Sequence, residues 1–157
     1  MSSVALRFDL SSVARLQERL TQLGNINRGE LLDAIGAEVE TQTHRRIRDE
    51  KTAPDGTPWE PWSKNYGRGR HGGHSLLMGE GDLDDSIQYL VNGDEVETGS
   101  NIEDYAAIHQ FGGTSDMAPG PASIPAREYL GLSDENIDDI AAIVDDFVDE
   151  HIARVIQ

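Results

Sequence analysis

Cysteine does not occur among the 157 residues. Its absence excludes disulfides, thiolate catalysis and cysteine-ligated zinc together, and it suits folding in a reducing compartment. Nor is there a run of about 18 apolar residues, the length that a membrane-spanning helix needs. Met1 to Asp9 lack the basic start and apolar block of a secretion signal. Aromatic residues are scarce at 6%, and the tryptophans are two, Trp59 and Trp62. Basic residues are scarce as well: 13 against 29 acidic ones, a net charge of −16. A phosphate-gripping face over the whole domain is excluded by that balance. What is left, 37% apolar and 27% charged, fits one globular domain over 1–157.

The few cations are concentrated. Residues 1–44 carry 4 basic and 6 acidic side chains, residues 45–78 carry 7 and 4, and residues 79–157 carry 2 and 19. A solvated acidic surface accounts for the last block. Segregation this sharp also suits docking of a basic arm on an acidic body.

Local patterns give an α+β fold, with a small antiparallel sheet packed by helices on one side and long flexible loops. Val4, Leu6 and Phe8 alternate as in a strand. Ser11 or Ser12 caps a helix carrying Val13, Leu16, Leu20 and Leu23, stopped at Gly24. Asn27 caps a second, with Leu31, Ile35, Val39, Thr43 and Ile47 in one stripe. Gly36 within it costs about 1 kcal/mol against alanine, which points to close packing or a bend. "DDSIQYLVNGDEVETGS" predicts a hairpin turning at Asn92–Gly93. "NIEDYAAIHQFGG" predicts a helix over 103–111, with Tyr105, Ile108, Ala107 and Phe111 facing the sheet. His109 and Gln110 then serve its C-terminal end, before a flexible loop over 112–124. Ser133 caps a last helix whose apolar face runs from Ile137 to Ile152.

Residues 52–78 break every period. "APDGTPWEPWSKNYGRGRHGGH" predicts an extended basic, aromatic arm, because structureless loops of that length are uncommon inside a domain. Trp59 and Trp62 can pin it to the body, and "KNYGRGRHGGH" can meet another subunit.

Chemistry finds little purchase. His71 and His74 lack the spacing of a metal site, and no nucleophile elbow or phosphate loop occurs. Asp84 and Asp85 adjoin the predicted strand, where neighbours point apart. Catalytic, cofactor and metal residues are therefore expected to be none. The basic clusters are too short and too interrupted by acids for sequence-specific DNA reading.

"TGSNIEDYAAIHQFGGT" followed by "IPAREYLGLS" and a closing helix resembles the phage virion morphogenesis, or tail completion, family of Mu-like phages and prophages. "PDGTPWEPWS", a basic stretch and "LLMGEGDLDDSI" precede them in the family's order, so the resemblance runs from about Leu31 to Ile143. Glu128 stands where that pattern has proline. The resemblance implies a structural neck subunit, assembled in the host cytoplasm into the virion. It would form a homo-oligomeric ring, six-fold in related tail terminators, beside other neck and tail-tube proteins. DNA would pass through the lumen without sequence-specific binding, and no membrane would be involved. A head-completion or stopper protein is the alternative of the same class; a small DNA-binding protein using the basic arm is the alternative of another. The candidate contact residues are Trp59, Trp62, Tyr66, Arg68, Arg70, His109, Gln110, Phe111 and Arg127.

Overall fold

A computed structural model describes residues 4–9, 27–69, 72–118, 120 and 122–155. The helix predicted from Ser11, and with it Arg70 and His71, lie outside the described residues, as do the side chains of the first strand other than Ala5.

Asn27 starts the main helix, α1 (Arg28–Arg45), by accepting a hydrogen bond from the Glu30 amide at 3.2 Å. Leu31, Ile35, Val39 and Thr43 are buried along it, as their spacing predicts. The helix widens into a π turn, Arg46–Glu50, and closes on Lys51 in the left-handed region with φ 55°. A lysine pays strain for that conformation. Here its ammonium is anchored by the Ile47 carbonyl, the Ser75 hydroxyl and the Leu76 carbonyl. Burial pushes the Lys51 pKa down.

Three strands form one antiparallel sheet: β1 (Val4–Asp9), β2 (Ile87–Asn92) and β3 (Glu95–Ser100), in the order β1-β3-β2. Pairing of Asn92 with Glu95 makes Gly93 and Asp94 the turn, one residue later than predicted. Gly93 has φ 62° and Asp94 is not in the left-handed region. That combination is the type II′ turn, which wants glycine first.

Helix α1 lies across β2 and β3. It fits closely because Gly36 has no side chain: a Cβ there would overlap the Tyr89 ring. Close packing, not a bend, explains that glycine. The last helix, α5 (Asp134–Val155), packs on α1 through Ile140, Val144 and Val148 against Leu31, Ile35 and Val39. Ser133 and Asn136 cap it reciprocally: each backbone N–H meets the other's side-chain oxygen at 3.1 Å. Helix α1, with α5 packed on it, thus covers one face of the sheet, and Leu90 on the other face stays exposed.

A second apolar cluster surrounds the end of α1, built from Ile47, Trp59, Leu77, Leu83, Ile87, Ala106, Tyr129 and Leu130. The 52–78 stretch meets this cluster rather than running free. It contains a bridge between Thr52 and Pro58 and one helical turn, α2 (Lys64–Gly67), capped by Ser63. A second single turn, α3 (Asp82–Asp85), leads into β2.

Candidate assembly surface

Helix α4 (Glu103–Phe111) forms with the predicted bounds. Its facing differs from prediction. Ala106 is fully buried, while Tyr105 is 45% and Phe111 72% exposed. The inner face is set by what lies under it, the segment 124–131. That segment is neither helix nor strand, so its backbone needs other partners.

Side chains supply them. Gln110 Oε1 accepts from the amides of Tyr129 and Leu130, each at 3.0 Å, and Nε2 donates to the Leu130 carbonyl at 3.2 Å. Arg46, deeply buried, donates to the carbonyls of Tyr129 (3.2 Å) and Gly131 (2.8 Å) and to Asn136 Oδ1 at 2.6 Å. The Trp59 indole donates to the Glu128 carbonyl at 3.0 Å. The Arg127 amide donates to the His109 carbonyl at 2.7 Å. Arg127 itself reaches back, donating to the carbonyls of Glu60 (2.8 Å) and Pro61 (3.2 Å). Gly112, with φ 80°, ends α4 where a Cβ would come within 2.9 Å of the Ala126 amide nitrogen. "YAAIHQFGG" and "IPAREYLG" are therefore each other's partners.

The candidate residues divide accordingly. Trp59, 6% exposed, and Arg127, 5% exposed, belong to the fold and offer no contact face. Gln110 is engaged with residues 129–130 instead of with its own helix end. His109 is half-buried, its ring edge-to-face with Tyr105 at 4.5 Å. Burial, then the Arg127 charge, hold its pKa below the ordinary histidine value. Trp62 is half-buried and meets Tyr66 at 6.1 Å. Tyr66, 51% exposed, Arg68 and Phe111 remain on the surface. Exposed side chains remain at two places in the chain: on the strap around α2, basic and aromatic, and on the outer face of α4.

Sequence reasoning weighed Asp84 and Asp85, which border the second patch, only as an acid pair adjoining a strand. Asp84 is buried and accepts from His44 Nδ1 and twice from Arg48, all at 2.8 Å. It lies on a helical turn, not a strand. Its neighbours Asp82 and Asp85 stay exposed and line an open groove of about 400 Å³ with Ser86, Asn101, Ile102 and Tyr105. A D-x-x-D repeat across one helical turn, which puts both acids on one side, was the available signal. Among the described residues no group of three or more His, Asp or Glu is placed to hold a metal ion. No described helix is long and apolar enough to cross a membrane.

Comparison with known proteins agrees with the pattern of motifs. The phage virion morphogenesis family matches residues 8–149. Protein G of Escherichia phage Mu, named for capsid assembly, is 39% identical over 125 residues, 76% of this chain and 80% of the Mu protein. G protein 1 of the Mu-like prophage FluMu in Haemophilus influenzae is 27% identical over 146 residues, covering 90% of this chain and 92% of that one. No solved structure matches.

Proposed function

The chain belongs to the phage virion morphogenesis family, and from that membership we propose that it is a tail-completion subunit, non-enzymatic, whose copies close a ring at the head-proximal end of the tail and join it to the head. The observation that carries this reading is the division of the surface. The two signature segments satisfy each other's backbone and yet leave Phe111 and Tyr105 outside, while a second, basic aromatic patch stands on another part of the chain. Cyclic assembly requires two unlike patches per subunit, meeting head to tail. The acidic remainder suits a lumen through which DNA slides without adhering. The ring would be six-fold, with neck and tail-tube proteins as its other neighbours.

A head-side stopper has one point in its favour, the capsid-assembly name of the Mu relative. Particles made without this protein separate the two. Heads and tails should accumulate apart, and normal virions would refute both readings. Mixing the mutant tails with wild-type heads should fail to restore joining if the defect lies in the tail; restored joining would move the protein to the head. Retention on DNA at low salt, with a steep salt slope, would favour a DNA-binding role instead.

A further inference from the structure

We propose that the outer face of α4, with the groove at its foot, is the socket for the strap of a second copy of this chain. The inference rests on the ring reading and specifies its contact.

The socket is apolar along one side and acidic along the other. Tyr105 and Phe111 stand out from α4, with half-buried Ile108 between them, three residues from each. At the Tyr105 end the groove opens onto Asp82 and Asp85. Among the described residues no cation is paired with either carboxylate. Asp84, between them in sequence, is turned inward and is already met by Arg48 and His44. A pair of exposed carboxylates beside a tyrosine side chain is a setting that recognises a guanidinium by charge-assisted hydrogen bonds.

The strap has the complementary composition in a matching size. Ser63 caps α2 by accepting from the Tyr66 amide at 3.3 Å, so one short helical turn presents the group. Tyr66 stands exposed beside Trp62, and Lys64 and Arg68 are exposed with no carboxylate partner among the described residues. The root is tied down, since Glu60 and Pro61 are held by Arg127 and Trp59 is held at Glu128. On that anchored root the strap bears two aromatic rings and two cations, and the socket offers apolar surface and two anions. DNA does not fit this socket, because its phosphates would face the same carboxylates. One projection and one socket on each chain make a head-to-tail contact, the kind that closes rings.

Charge reversal tests the assignment on the full chain. Arg68→Glu with Lys64→Glu forms one variant, Asp82→Lys with Asp85→Lys a second, and all four changes a third. The first two are expected to raise the concentration for half-assembly at least about tenfold, as like-charge contacts do, read by sedimentation. The third should recover most of that loss. All three should keep the wild-type melting temperature within a few degrees, since every altered side chain is exposed. Neutral versions, Arg68→Gln and Asp85→Asn, should show smaller losses and serve if a reversal disturbs folding. A wild-type ring unchanged by either reversal, or losses that the combination does not recover, would overturn the socket while leaving the ring standing. Strap variants that melt early without changing mass would show the strap seated in its own chain, and would also overturn it. A wild-type chain that is monomeric at every concentration would end the ring reading itself.

Discussion

Gln110→Met separates the hydrogen bonds of the Gln110 clamp from its packing. The substitution keeps side-chain length and removes both polar atoms. Two amides, at Tyr129 and Leu130, and one carbonyl, at Leu130, would lose their partner. Both residues are buried, so water replaces those bonds poorly. An unpaired buried polar group costs about 1–3 kcal/mol. Partial relaxation of the segment keeps the sum at about 3 kcal/mol. For a chain of this length that is roughly a 6–12 °C fall in melting temperature, at about 2–4 °C per kcal/mol. Gln110→Glu retains an acceptor for both amides but sets a carboxylate oxygen against the Leu130 carbonyl, and should fall between. Urea unfolding followed by circular dichroism reads both, and an unchanged m-value would confirm that stability alone has moved. A Gln110→Met protein within about 0.5 kcal/mol of wild type would refute the claim that this amide holds residues 129–130. Normal melting with poor assembly would instead return Gln110 to the contact role that the sequence suggests.

Gly36→Ala should destabilise by about 1–3 kcal/mol despite the better helix propensity, because the methyl group meets the Tyr89 ring. Combining it with Tyr89→Leu should cost less than the two changes summed, as urea unfolding of all four proteins would show. Arg46→Met removes charge-assisted bonds to two carbonyls and Asn136. Each buried oxygen left without a donor costs about 1–3 kcal/mol, and Arg46→Lys should regain only part of the loss, since an ammonium cannot span all three acceptors. For His109 the folded chain resists protonation, through burial first and Arg127 second. The unfolded chain therefore takes up that proton first as the pH falls below about 6.5. The contribution to stability is full above that pH and is lost as the pH falls towards the lower folded-state value. His109→Phe should gain on the wild type between pH 7.5 and 5.5 in paired melts, in which the carboxylates shared by both proteins cancel.

The helices were legible where one short signal decided the matter. Asn27 and Ser133 mark the two long ones, and the stripe from Leu31 to Ile47 continues unbroken through the π turn. The hairpin was legible as well, but its turn shifted by one residue, because glycine takes the first turn position with Asp94 beside it. Helix α4 shows where pattern reasoning fails. Large apolar residues attract an inward assignment, yet small Ala106 and the amide of Gln110 occupy the inner face, since the segment beneath is bare backbone that needs room and both acceptors and donors. The contacts of Arg46, Trp59 and Arg127 are of the same kind. Each ends on carbonyls far along the chain, and every residue has a carbonyl, so no residue type at any spacing announces them. The groove of Asp82, Asp85 and Tyr105 exists only once α3 and α4 are brought together.

Glu40, on α1, accepts a hydrogen bond from the Tyr89 amide of the outer strand β2 at 3.1 Å. A free amide on an outer strand is an invitation for another chain to add itself backbone to backbone, and such growth has no natural end. Here one carboxylate occupies the place that an incoming strand would need. Copies crowded together at that edge are steered away from ribbons without limit and left to meet through side chains, whose fit can count.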